Sequence, residues 1–183
     1  MLTLLYAGNL GLGHDLDTII LAIAKMNGES NLKVVFVGEG KAKRALEKQV
    51  EQFKLDKVEF RPPVPLYRLS ELMAEGDIHL VSQKVGTQGL IVPSKIYGVL
   101  AAGRPSLFIG PSDCEPAIIV KRSRSGFVIS PGDVDGVIGV LKKLTLDQEM
   151  RLKMGEQAKS YYREHFGRDK SVARIIQALE SIM

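Results

Sequence analysis

The chain has 183 residues, 45% hydrophobic and 25% charged, with a formal net charge of +4; this is the profile of one globular domain able to bury roughly 70% of its unfolded surface. Cys114 is the only cysteine, and His14, His79 and His165 are scattered without metal-ligand spacing, which excludes a disulfide framework and a thiolate metal site. No apolar run approaches the ~20 residues of a membrane span, Met1-Leu2-Thr3-Leu4-Leu5 is too short for a secretion leader, and no basic stripe interleaved with aromatics marks a nucleic-acid surface.

Apolar runs of strand length alternate with helix-periodic stretches. Residues 3–7 read as a strand, and the loop after it, Gly8-Asn9-Leu10-Gly11-Leu12-Gly13-His14, holds three glycines in six residues. Such a loop lets backbone approach a phosphate closely, and the helix predicted over 16–26 presents its positive end there. Asn9 and His14 add polar contacts. A strand at 33–37 leads to Gly38-Glu39-Gly40 and a helix at 42–53. A strand at 58–60 runs into Arg61-Pro62-Pro63-Val64-Pro65, a stiff loop that can offer main-chain groups at low entropic cost. A helix at 66–74, a strand at 78–81 and a polar, glycine-bearing stretch at 82–93 follow.

The most informative segment is Val92-Pro93-Ser94-Lys95-Ile96-Tyr97-Gly98. Pro93 pre-sets the turn, Ser94 reads as a helix cap, and Lys95 stands in the first turn of a helix over 94–102. Free N–H groups and the helix dipole favour an anion there, so a cation in that place points to a negative partner, most naturally a phosphate. Gly103 and Pro105 end the helix. Strands at 106–109 and 127–129 and helices at 115–121 and 134–144 complete the alternation. Cys114 reads as packing. Lys121-Arg122-Ser123-Arg124 reads as the solvated end of a helix, and is also compatible with peripheral contact to an anionic membrane surface.

Strands alternating with helices imply right-handed crossovers and an α/β fold: a doubly wound, parallel, six-stranded sheet with ligands beyond the carboxyl ends of its strands. After Leu144 the pattern changes. Thr145-Leu146-Asp147-Gln148 reads as a capping box opening a polar helix to about Phe166. Gly167 breaks it, and 171–182 forms a last helix with Val172, Ile175, Ile176 and Leu179 on one face. The predicted division is a Rossmann-like domain over 1–144 and a helical C-terminal tail over 145–183 packed on it.

The run "VPSKIYGVLAAGRP" resembles the signature helix of the donor-binding C-terminal domain of GT-B glycosyltransferases, especially bacterial family-4 enzymes that build surface polysaccharides. "LLYAGNLGLGHDLDTIILAIAKM" resembles the opening of that domain, and "VVFVGEG", "VEFRPPVPLYRLSELMAEGDIHLVSQ" and "GFVISPGD" follow in the family's order. The resemblance implies transfer of a sugar from a UDP-sugar to a lipid-linked or polysaccharide acceptor, with retention of configuration and without metal or cofactor. It implies Lys95 and His14 as catalytic groups on the leaving diphosphate. The implied nucleotide-sugar site comprises Gly8, Asn9, Gly11, Gly13, Gly38, Glu39, Arg61, Pro62, Val64, Val92, Pro93, Ser94 and Lys95, with the base near residues 61–64. It further implies a cytoplasmic location at the inner membrane face, no nucleic-acid partner, and an acceptor-binding N-terminal half on the same or a separate chain, onto which the tail crosses. On that reading the chain is excised from a longer protein and turns over little by itself.

Two departures stand against the pattern. A pair of glutamates common in family-4 enzymes falls on Leu90 and Gly98, and an arginine and a lysine that hold donor phosphates fall on Asn9 and His14. A non-catalytic nucleotide-binding or interaction module is therefore an alternative. An NAD-binding Rossmann domain is another, although Gly8-x-x-Gly11-x-Gly13 reverses the expected glycine spacing and only Glu39 could serve as the ribose acid. No Gly-Lys-Ser/Thr triplet exists, so the chain has no P-loop.

Overall fold

Strands covered on both faces must be apolar at successive positions, and β1 (Leu2–Ala7), β2 (Leu32–Val37) and β4 (Ile78–Ser82) are buried over nearly their whole length. With β3 (Val58–Arg61), β5 (Ser106–Ile109) and β6 (Gly126–Ile129) they form one sheet in the order β3-β2-β1-β4-β5-β6. Every pairing is parallel. The computed structural model describes residues 1–26, 31–90 and 94–181. All six strands predicted from the sequence are present, each within one residue of its expected ends.

Successive side chains serve opposite layers. Leu4 and Tyr6 point into a core with Ile19 and Ile23 of α1 (Asp17–Lys25), Leu46 of α2 (Lys43–Gln52) and Leu141 of α6 (Val134–Leu146). Leu5 points the other way, onto Leu72 of α3 (Leu69–Glu75). On that second face Val81 and Phe108 pack with Val99 of α4 (Lys95–Ala102) and Val120 of α5 (Glu115–Ser123). The doubly wound α/β fold is thus as the sequence indicates. β1 and β4 are neighbours whose connections leave in opposite directions, which makes the gap between their carboxyl ends the switch point of the sheet.

Local starts and stops differ from expectation in four places, one being the last helix, which begins at Arg168 rather than at the predicted 171. Residues 66–68 form a 3-10 turn before α3 rather than a continuous helix. The cap of α7 (Gln148–His165) is Asp147, whose carboxylate accepts the Met150 N–H at 2.8 Å. Thr145 lies inside α6 and donates its hydroxyl to the Leu141 carbonyl at 2.7 Å, so the capping-box reading put the start two residues early. Ser94 has helical dihedrals and its hydroxyl does not cap α4.

The tail divides in two. α7 lies across α4, with Ala158 buried and the Tyr97 and Phe166 rings edge to face at 4.8 Å. α8 (Arg168–Glu180) has no buried residue, and Val172, Ile175, Ile176 and Leu179 are all exposed. Among the described residues no helix is long and apolar enough to cross a membrane.

Candidate functional site

A cavity of about 550 Å³ opens at the switch point. Its apolar wall comes from Leu69, Leu72 and Met73 of α3, Gly98 and Val99 of α4, and Pro63 and Val64 of the stiff loop. The polar groups are gathered at the mouth: Asn9, Glu39, Ser94 and Lys95. His79 lies on the floor; its Nε2 is 3.0 Å from the Met73 carbonyl, and burial lowers its pKa to about 4.

Two glycine turns make the mouth. Gly8 has φ +135°, and a side chain there would come within 2.5 Å of Lys95 Cε. Gly38 has φ +149°, and a Cβ on it would strike the Gly8 carbonyl. Only glycine permits both conformations and this closeness. Backbone bonds from Gly8 to Val37 (2.8 Å) and from Leu10 to Glu39 (2.8 Å) hold the two turns side by side. Lys84 N–H donates to the Gly13 carbonyl at 2.8 Å, tying the loop after β4 to the first loop.

Lys95 reaches over this backbone as the first residue of α4. Its Nζ lies 4.9 Å from the centre of the Tyr6 ring and 3.5 Å from His14 Nε2. Among the described residues no carboxylate pairs with it. Burial lowers its pKa from 10.5 to about 8. His14 Nδ1 is 2.7 Å from the Ser82 carbonyl, which can only accept, so Nδ1 carries the proton and the neutral ring turns its Nε2 lone pair to Lys95. Burial, and then the nearby Lys95 charge, lower the His14 pKa, against the Ser82 bond.

The two helices that begin at the switch point, α1 and α4, are not equivalent. Asp15 places its carboxylate on the Thr18 N–H at 3.1 Å, closing the first turn of α1 from within the chain. The positive end of α1, expected from the sequence to face a ligand, therefore already has an anion. Ser94, at the start of α4, makes no side-chain cap bond. Of these two helices, and among the described residues, an anion meets an ammonium without a carboxylate partner at α4.

Several predicted residues are brought together here: Gly8, Asn9, Gly38, Glu39, Val64, Ser94 and Lys95 line the cavity, and His14 touches Lys95. Others are not. Arg61 donates to Glu59 and Glu75, each at 2.7 Å, and neither Arg61 nor Pro62 lines the cavity; Pro63 does. Gly11 and Gly13 shape the loop away from the wall. Val92 and Pro93 lie outside the described residues. Glu39 is ion-paired with Lys43 at 2.6 Å. Tyr6, Leu72, Met73 and Val99 are additions, since apolar and aromatic residues inside buried elements read as core. Cys114 is buried and donates its thiol to the Pro111 carbonyl at 3.0 Å, as packing requires. Among the described residues no group of three or more His, Cys, Asp or Glu side chains could hold a metal.

Comparison with known proteins gives this architecture a family. The model for Glycosyl transferases group 1 matches residues 2–161. WcaI of Escherichia coli (strain K12), assigned as a colanic acid biosynthesis glycosyl transferase, is 37% identical over 100 residues, which is 55% of this chain and 24% of WcaI. Sucrose-phosphate synthase from Thermosynechococcus elongatus superposes with a TM-score of 0.83 at 16% identity, over 99% of this chain and 45% of that one. Anabaena HepE, solved in complex with UDP and glucose, superposes with a TM-score of 0.81 at 17% identity, over 98% of this chain and 48% of that one. The chain thus spans less than half the length of each of these proteins. Sheet order, switch-point cavity and family match converge: the chain belongs to the group 1 glycosyl transferases, as a family-4-like C-terminal domain of the GT-B fold.

Proposed function

We propose that the cavity binds a UDP-sugar and that the domain serves a glycosyltransferase acting on a lipid-linked or polysaccharide acceptor. The observation that carries this reading is the unpaired Lys95 ammonium at the uncapped start of α4, laid against Gly8. A diphosphate at that place gains a charge-assisted bond and loses no competing carboxylate. As the bond from sugar to diphosphate breaks, negative charge grows on the leaving oxygens. Lys95 stands where it stabilises that charge, with His14 beside it, and a preorganised donor such as the ammonium is worth about 3 kcal/mol. HepE, which shares the fold, was crystallised with UDP and glucose, in keeping with a uridine donor.

The nucleoside then occupies the slot between α3 and α4, with the base against Pro63 and Val64. Gly98 leaves that slot open to Met73, whose Cε is 3.7 Å from where a side chain would begin. Retention of configuration, chemistry without metal or cofactor, and a cytoplasmic site of action complete the proposal. So does an acceptor-binding N-terminal half, on the same or a separate chain, that receives the exposed face of α8. By itself the domain then binds donor and turns over little. The NAD reading is disfavoured because Asp15 occupies the end of α1, where a dinucleotide fold holds its pyrophosphate.

Titration with UDP, UDP-sugars and NAD tests the reading. UDP binding that Lys95→Ala weakens by about 10–100-fold supports it, that being the range of one charged hydrogen bond. NAD binding in place of UDP, or no nucleotide binding at all, overturns it.

A further inference from the structure

We propose that His14 is loaded with a proton by the arriving diphosphate, so that the leaving group is met by two cations rather than one. The inference rests on the donor reading above and adds a role for the imidazole.

The geometry is specific. The Ser82 carbonyl fixes the proton of the neutral ring on Nδ1, leaving one basic lone pair, on Nε2. That lone pair faces the Lys95 ammonium at 3.5 Å, and Lys95 itself lines the cavity. The titratable and charged groups about the ring are few. Lys95 comes from α4, and Tyr6 from β1 sets its ring edge-on at 6.0 Å. Asp15, next along the chain, has its carboxylate on the Thr18 N–H, and Glu39 across the mouth is paired with Lys43. Among the described residues, the carboxylates named here are both engaged, so a second positive charge beside Lys95 is repelled. Burial acts in the same direction.

A diphosphate reverses both conditions. It brings at least two negative charges to the ammonium, and its oxygens are acceptors that a bare Nε2 lone pair would oppose. A proton taken from solvent onto Nε2 turns that opposition into an N–H donor, while Nδ1 keeps its bond to Ser82. No covalent bond changes. The balance is one proton gained from water by His14, and the imidazolium holds it while diphosphate stays bound. The same arrival draws Lys95 fully to its charged form.

The test is calorimetric titration of the full chain with UDP at pH 7.5, in buffers of different ionisation enthalpy. The slope of heat against buffer enthalpy gives protons taken up. The expected result is uptake of about half a proton or more per UDP, falling by at least half in His14→Gln, with UDP binding about 3–10-fold weaker in that variant. Comparing the two proteins cancels protons released by UDP itself. A histidine-labelled nitrogen NMR spectrum of the unsubstituted protein gives a second reading, with His14 Nε2 passing from bare to protonated on addition of UDP. UDP binding with no proton uptake, or with uptake unchanged in His14→Gln and no change at Nε2, overturns this proposal and leaves the donor reading standing. Absence of any UDP binding overturns both.

Discussion

The Tyr6 ring lies 4.9 Å from Lys95 Nζ while its hydroxyl donates to the Asn9 carbonyl at 2.7 Å. One buried side chain at the end of β1 thereby supports the cation from below and latches the glycine loop beside it. Burial holds the phenol well above its ordinary pKa, so it remains a donor at any working pH. Removing only the hydroxyl, with Tyr6→Phe, leaves the Asn9 carbonyl without this partner and costs about 1 kcal/mol, or a fall in Tm of about 2–4 °C. UDP binding weakens a further two- to five-fold as the loop loosens, within the range of one modest interaction. Tyr6→Leu removes the ring face as well and weakens UDP more than Tyr6→Phe, by about 0.5–2 kcal/mol. Thermal scans and titrations of the two variants check the order; equal binding by both would show that the ring does nothing for Lys95.

Lys95 is held at a cost to the empty protein, since burial lowers its pKa from 10.5 to about 8. Between those values the unfolded chain binds more protons than the folded one, so this residue makes stability rise with pH from about 8 toward 10.5. Below about 8 the full penalty is present. Lys95→Met is therefore expected to melt higher than the parent at pH 7, to lose this rise at alkaline pH, and to bind UDP about 10–100-fold more weakly. Tyr6 and Tyr97 act in the opposite sense above pH 10, because burial raises their pKa values. The comparison of parent and variant is best made between pH 7 and 10. A variant that melts lower at pH 7 contradicts the account.

His79 gives the acid limb. Burial lowers its pKa from 6.5 to about 4, so the unfolded state binds the proton first and stability falls as pH drops from 6.5 to 4. The loss from this group is on the order of 3 kcal/mol when complete. His79→Gln keeps a donor for the Met73 carbonyl and should flatten most of the slope in urea midpoints measured across that range. The residual slope belongs to His14, which is shifted in the same direction, and at the acid end to Glu59, whose carboxyl the Arg61 bond holds below its ordinary pKa.

α8 has no buried residue, so a chain ending at Gly167 is expected to keep its Tm within about 2 °C, since surface changes fall within about 0.5 kcal/mol. Ending the chain before α7 instead removes Ala158, Tyr161 and Phe166 and exposes Val99 and Leu100 of the core they cover, and should abolish cooperative melting. Circular dichroism of the two truncations separates the halves of the tail.

The strands were legible because burial on both faces leaves apolar runs, which β2 shows from Val34 to Val37 and β5 from Leu107 to Ile109. The start of α7 was misread because Thr145 and Asp147 are both cap residues, and only packing of α6 through Leu144 decides between them. In the candidate site, the sequence shows Lys95 at a helix start and clustered glycines after β1, and the structure lays the two against each other. The stiff loop was read for its main-chain groups; what the sequence does not show is that the Arg61 guanidinium is claimed by Glu59 and by Glu75, fourteen positions on. Tyr6 was invisible because a tyrosine inside a buried strand reads as core until its neighbours across the sheet edge are known. Asp15 three places before Thr18 was a readable cap signal, and it alone tells which helix end is already filled.

The carboxylate that closes α1 and the ammonium that opens α4 give the sheet edge a fixed electrical direction. A molecule with an acidic end and a greasy end is turned by that field as it approaches, its charge drawn away from Asp15 and toward Lys95. Its other end is left aimed at the hydrocarbon wall of α3. The polarity of docking is therefore written before contact, in two side chains that never touch the same part of the guest.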